Sequence, residues 1–157
     1  MAVYSLKAVQ VIPVSLAEAW DFFSSPANLQ AITPPTIVFD IISKHHGAKM
    51  YAGQIIEYKV KPLFNIPIYW MTEITHVKDQ QYFVDEQRFG PYSLWHHQHH
   101  FKEVDGGVEM TDIVHYKIPG WFLGDIMNSL YIKNELKGIF DYRFKKVEEL
   151  FPANKKR

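Results

Sequence analysis

The chain predicts an α+β fold: one antiparallel sheet of about seven strands set around a long C-terminal helix, with two short helices after the first strand. Three observations carry this. From about Val38 to Lys117, runs of alternating apolar and polar residues are separated by turn residues, as in half-buried strands. After Pro119-Gly120 the apolar residues change to helical spacing, up to Pro152. The composition, 47% hydrophobic and 15% aromatic over 157 residues, is enough to fill one sizeable core. A sheet and a helix each offer one apolar face, and packing them together buries both.

The elements follow in order. "YSLKAVQVIPV" is a valine-rich strand that Pro13 should end. "SLAEAWDFFSS" opens with Ser15 as N-cap and Glu18 three residues on, a capping box, and puts Leu16, Ala19, Trp20 and Phe23 at helical spacing. A second short helical segment fits "ANLQAIT", stopped by Pro34 and Pro35. "TIVFDIIS" is a strand; "GQIIEYKVK" is another, with Ile56, Tyr58 and Val60 on one face; "IPIYWMTEITHV" places Trp70, Thr72 and Ile74 together. "QQYFVDEQRF" alternates up to a bend at Gly90-Pro91. "SLWHHQHHFKEV" and "VEMTDIVHYKI" flank Asp105-Gly106-Gly107, a strong hairpin signal. Ile126, Leu130, Ile139, Phe140, Phe144, Val147 and Leu150 then form the apolar stripe of one long helix, with Gly138 a mild cost.

No repeat, low-complexity stretch or linker appears, so residues 1–152 read as one domain and 153–157 as a solvated basic tail. The absence of cysteine excludes disulfides, thiolate nucleophiles and Cys-based zinc or iron–sulfur sites. Formal net charge is zero, so no basic balance points to nucleic acid. No signal-peptide pattern and no apolar run near the ~20 residues of a membrane span is present. The expectation is a soluble cytoplasmic protein without stable membrane insertion.

The unusual stretch is "FGPYSLWHHQHHF", residues 89–101. A strand sends alternate residues to opposite faces. Trp95, His97, His99 and Phe101 share one face, bracketed by rings, which marks it as the inner one; His96 and His100 then face water. On the preceding strand the inner set is Phe83, Asp85, Gln87 and Phe89, because the other choice buries Glu86 and Arg88. On the following strand it is Met110, Asp112, Val114 and Tyr116. Three adjacent strands thus turn polar groups inward between aromatic ends. In a closed core these need partners, and an internal network with Asp112 or Asp85 accepting from a histidine is one solution. A hollow core, with water or a ligand supplying the partners, is the other and better expectation.

"FVDEQRFGPYSLWHHQHHF", "DGGVEMTDIVHYKIPG" and "GIFDYRF" resemble the SRPBCC superfamily, also called START/Bet v 1-like. The nearest branch is the bacterial ligand-binding one related to polyketide cyclase/dehydrase-like sequences. The residues that carry the resemblance are Phe83, Asp85, Gln87, Gly90, Pro91 and Tyr92, then Trp95, His97, His99 and Phe101. Asp112, Val114, Tyr116, Pro119, Ile139, Phe140, Tyr142 and Arg143 complete it. The resemblance implies a helix-grip fold, a curved antiparallel sheet folded around the C-terminal helix with a deep cavity between. Proteins of this kind mostly bind hydrophobic small molecules such as lipids, polyketides, sterols or quinones, and a minority catalyse cyclisation or dehydration.

The expected function is therefore the binding of a hydrophobic small molecule. Trp70, Phe83, Trp95, Phe101 and Tyr116 are the expected walls, with Asp85, Gln87, His97, His99 and Asp112 as orienting groups. The alternative is a cyclase or dehydratase in which His97 or His99, paired with Asp112, is the general base and Tyr116 an acid. A metal reading joins His97 and His99 to Glu103, the H-x-H-x₃-E spacing also found in cupins. No second cupin motif follows and a long terminal helix ends a cupin barrel poorly, so no metal or cofactor is expected. His45-His46 reads as a loop, Leu63-Phe64 as a packed turn, and Trp121-Phe122 as a helix-start staple.

Overall fold

Strand β1, Tyr4–Ile12, alternates half-buried and exposed side chains and stops at Pro13, which has no N–H for the ladder. Helix α1, Leu16–Phe23, starts where Ser15 Oγ accepts a hydrogen bond from the Glu18 N–H at 3.3 Å, and it buries Ala19, Trp20 and Phe23. Two 3₁₀ turns follow, Pro26–Asn28 and Gln30–Ile32, where a single short helix was expected. Then come β2 (Phe39–Ile41), β3 (Gln54–Val60), β4 (Ile68–Lys78), β5 (Tyr82–Phe89), β6 (Leu94–Val104) and β7 (Gly107–Lys117). The computed structural model describes residues 2–37, 39–43, 49–61 and 66–153. The expectations for His45-His46, Leu63-Phe64, the side chains of Trp121-Phe122 and most of the basic tail lie outside the described residues.

The seven strands form one curved antiparallel sheet in the order β1-β7-β6-β5-β4-β3-β2. Chain neighbours are sheet neighbours from β2 to β7, and β1 closes against β7 in a nine-residue register from Tyr4↔Tyr116 to Ile12↔Val108. The β6–β7 hairpin turns at Asp105-Gly106, with Gly106 at φ +87°. β2 stands at the sheet edge and, among the described residues, pairs with β3 over three residues.

The inner face of β6 and β7 is the expected one. His97, His99, Phe101, Met110, Asp112, Val114 and Tyr116 are buried. Phe89 is the exception, at 59% exposure. A bulge in the β4–β5 ladder sets Gln87 opposite Thr72 but Phe89 opposite Met71, so Arg88 is the extra residue and Phe89 turns outward against Tyr69, ring centroids 5.4 Å apart.

The terminal helix is also not uniform. Helix α2, Trp121–Met127, passes through a π-helical turn, Asn128–Ile132, into α3, Lys133–Leu150. In an unbroken α-helix, Ile126 would lie within about 40° of Phe140 at ~100° per residue. The extra residue of a π turn shifts that phase by about one position. Ile126 and Leu130 are accordingly exposed, at 48% and 73%, and Leu150 is exposed at the helix end. The buried stripe is Ile132, Leu136, Phe140 and Val147.

The core divides into three apolar clusters. One joins Trp20, Phe23, Phe83, Phe101 and Val147; a second joins Val114, Tyr116, Leu136 and Phe140; a third joins Ile56, Tyr58, Val60 and Ile74. No described helix is long and apolar enough to cross a membrane.

Candidate functional site

Between these clusters lies a cavity of about 200 Å³, partly open and lined mainly by apolar side chains from all three. Leu136, Ile139 and Phe140 of α3 cover one side, the 3₁₀ turns supply Leu29 and Ile32, and Tyr58, Trp70 and Ile74 rise from β3 and β4. Trp70 meets Trp95 edge-on at 5.4 Å. Phe83 stacks on His99, ring centroids 4.1 Å apart and 18° from parallel.

The polar floor comes from β5, β6, β7 and α3. His97 Nε2 lies 2.9 Å from Asp112 Oδ1, and His99 Nε2 lies 2.8 Å from Asp85 Oδ2. The two remaining ring nitrogens face the opposite carboxylates. His97 Nδ1 is 3.6 Å from Asp85 Oδ2, and His99 Nδ1 is 2.8 Å from Asp112 Oδ1, angled off a straight hydrogen bond. The imidazole centroids are 3.8 Å apart. Adjacent antiparallel strands make this possible: Asp85 pairs with His97, and His99 with Asp112, across the ladder.

Arg143 completes the group. Its Nη1 is 3.8 Å from Asp112 Oδ1 and its guanidinium carbon lies 5.2 Å from the Phe140 ring centre. Its Nε is buried without a hydrogen-bond partner among the described residues.

Burial pushes the Asp112 carboxyl up, but the hydrogen bonds and charge of His97 and His99 more than offset this and hold it far below the usual carboxylate range. Asp85 is also held down: burial raises it, and His97, His99 and Arg143 together outweigh burial. The two histidines diverge. Burial, then the charge on His99, lowers His97; His99 is raised because its contacts with Asp112 and Asp85 exceed the burial penalty. Burial and the Asp85 charge push Tyr58 up. The floor thus gathers two carboxylates held ionised, a guanidinium, a His99 ring whose protonated form is favoured and a His97 ring whose neutral form is favoured.

Of the expected ligand-facing residues, Trp70, Phe83, Asp85, Trp95, His97 and His99 line the cavity. Asp112 stands behind the histidines. Gln87 does not reach the cavity: its Nε2 donates to Tyr92 O at 2.6 Å and its Oε1 accepts from Tyr92 N–H at 3.2 Å, so its amide clamps the turn into β6. Phe101 is core, edge-on to Trp20 at 5.4 Å, and Tyr116 packs on Tyr4 at 5.6 Å and Tyr92 at 6.0 Å. Glu103 is exposed beside the β6–β7 turn, so the spacing that paired it with the histidines has no counterpart in space. Sequence reasoning missed Tyr58, Tyr92, Phe140 and Arg143 as cavity residues. The parity of β3 and the motif match to "GIFDYRF" were the available signals.

No family model matches the sequence, and no curated protein matches it either. Solved structures do. The chain is similar to protein Ms6760 from Mycobacterium smegmatis (14% identity, 98% of each chain, TM-score 0.68). It is similar to Ara h 8.0201 (14% identity, 94% of this chain and 99% of that one, TM-score 0.60). Ginseng major latex-like protein 151 from Panax ginseng matches over 96% of this chain and 98% of its own, at 12% identity and a TM-score of 0.68. These matches show the fold: the Bet v 1-like helix-grip fold, a curved antiparallel sheet gripping its C-terminal helix.

Proposed function

We propose that the protein binds a small hydrophobic molecule that carries a hydrogen-bonding group at one end. The observation that supports this best is the cavity itself: apolar walls from three separate clusters converge on one charged floor, the pattern of a pocket that orients a largely apolar guest. Its volume, about 200 Å³, compares with the roughly 150 Å³ of an engineered cavity that takes benzene. A quinone-like or polyketide-like ring therefore fits the enclosed part better than a whole sterol or lipid. Arg143 Nε, buried without a partner among the described residues, is a donor for a carbonyl or carboxylate on the guest.

A guest burying ~300 Å² of apolar surface gains about 7.5 kcal/mol, offset by several kcal/mol of association entropy. Apolar burial alone then supports a dissociation constant on the order of a millimolar, and hydrogen bonds to the floor tighten it. Native mass spectrometry of the purified chain, followed by a thermal-shift screen of one- and two-ring quinones and phenols, tests it. Saturable stabilisation by such compounds that disappears in Ile139→Trp, which fills the cavity, is the expected result; no shift from any apolar compound at millimolar concentration refutes it.

A cyclase or dehydratase acting on a polyketide-like substrate is the second reading. One observation favours it: His97, held neutral and backed by Asp112, faces the cavity and has the properties of a general base. In that case His97→Gln keeps ligand binding and abolishes turnover.

A further inference from the structure

His97 and His99 present four ring nitrogens to two carboxylate oxygens, and the pairing is not random. His97 Nε2 and His99 Nδ1 face Asp112 Oδ1, at 2.9 and 2.8 Å. His97 Nδ1 and His99 Nε2 both face Asp85 Oδ2, at 3.6 and 2.8 Å. A neutral imidazole has one N–H and one lone pair. If both N–H groups are directed at Asp112, two lone pairs converge on an Asp85 oxygen, an arrangement that demands a cation at that point. A proton on His99 is one such cation. A proton on each ring is not a solution, because it sets two imidazoliums 3.8 Å apart beside Arg143.

We propose that Asp85, His97 and His99 form a binding site for a divalent first-row transition cation on the cavity floor, with Asp112 holding the far side of the imidazoles. Ligand atoms of these three residues lie within 4.8 Å of one another. Bonds of about 2.1 Å at tetrahedral or octahedral angles set neighbouring ligand atoms roughly 3.0–3.4 Å apart. The observed 2.8 and 3.6 Å bracket that spacing, so small side-chain rotations admit the ion. Two imidazoles and one carboxylate suit zinc, cobalt or ferrous iron rather than calcium or magnesium. Asp112 contacting the outward ring nitrogen of His97 is the carboxylate–histidine arrangement that fixes tautomer and ring direction at metal sites. All three ligands stand on neighbouring strands β5 and β6, a rigid support, and all three line the cavity, which leaves coordination positions open to a guest. Glu103, the third ligand that sequence spacing suggests, takes no part; Asp85 from the next strand replaces it.

The experiment uses the full chain without a histidine tag, stripped with a chelator and titrated with Co(II) and Zn(II). Calorimetry gives stoichiometry and affinity, and the visible absorption of Co(II) reports its ligands. One site per chain, a dissociation constant below about 10 μM and a nitrogen–oxygen Co(II) spectrum are expected. His99→Ala and the milder Asp85→Asn weaken binding at least 100-fold and 10-fold, and Asp112→Asn weakens it by about 10- to 100-fold. Glu103→Gln and the outer-face His96→Gln and His100→Gln leave it unchanged. Circular dichroism of each variant separates lost binding from lost folding. Absence of saturable uptake by the unaltered chain at 1 mM metal, or loss of binding in the outer-face variants with retention in folded His99→Ala, overturns the site. Binding of apolar compounds by the stripped protein is a separate readout, so the metal site fails or stands without deciding the cavity's guest.

Discussion

Replacing Asp112 by alanine removes an acceptor that faces both histidines and lies 3.8 Å from Arg143 Nη1. Its side chain is 7% exposed and its partners His97 and His99 are 6% and 8% exposed, so water cannot take its place without opening the core. The change leaves the His99 ring with Asp85 alone and Arg143 without the carboxylate it pairs with among the described residues. Breaking a buried charged pair by deleting one partner costs about 3–5 kcal/mol. For a chain of this length that lowers the melting temperature by roughly 6–20 °C, taking ~2–4 °C per kcal/mol. Urea unfolding followed by tryptophan fluorescence measures it, with the slope checked for a constant m-value. Asp112→Asn, which keeps an acceptor but drops the charge, falls between. Combining Asp112→Ala with His97→Ala tests the coupling directly: the pair is non-additive by about 0.5–3 kcal/mol if the two act as one unit. A loss below 1 kcal/mol for Asp112→Ala, or additive behaviour in the pair, refutes the reasoning that the floor is a mutually dependent charge group.

Further outcomes follow from the same geometry. In chelator-stripped protein, Asp85 and Asp112, both held below the ordinary aspartate value of 3.8, contribute stability that is present above that value and is lost as pH falls beneath it; urea midpoints between pH 2 and 5 drop steeply, and Asp112→Asn flattens the drop. His99, held above the ordinary histidine value of 6.5, contributes stability that is complete below 6.5 and is lost as pH rises through its elevated folded value, so midpoints decline on the alkaline side and His99→Gln removes that decline. A β-carbon at Gly90 would overlap the Gln87 side-chain amide, so Gly90→Ala costs about 1–3 kcal/mol by equilibrium unfolding, and Gln87→Ala introduced beside it recovers part of the steric loss. Phe101→Ala, in the cluster with Trp20 and Phe83, costs about 3–5 kcal/mol in the same assay.

Side-chain parity made much of the site legible. The ring-bracketed faces of β5, β6 and β7 put Asp85, His97, His99 and Asp112 on one inner surface, and nothing beyond period-two alternation was needed. The departures have local causes that alternation does not encode. Arg88 is one extra residue in a ladder, and it reverses Phe89. The π turn at Asn128–Ile132 is one extra residue in a helix, and it takes Ile126 and Leu130 out of the buried stripe. Gln87 has the right parity for the cavity, yet the backbone of Tyr92, five residues later in the turn into β6, captures its amide. Arg143 enters from an element thirty-one residues beyond Asp112, on a helix, where strand alternation says nothing about which side chains meet the floor.

The division of the core into three clusters bears on how the molecule comes apart. Their side chains converge on a space that holds no protein atoms, so an empty molecule has a seam running under α3, along which the helix and the β3–β4 wing can loosen separately. A bound guest acts as a keystone across that seam. Filling it should sharpen melting as well as raise its midpoint, because parts that yielded in sequence then yield together.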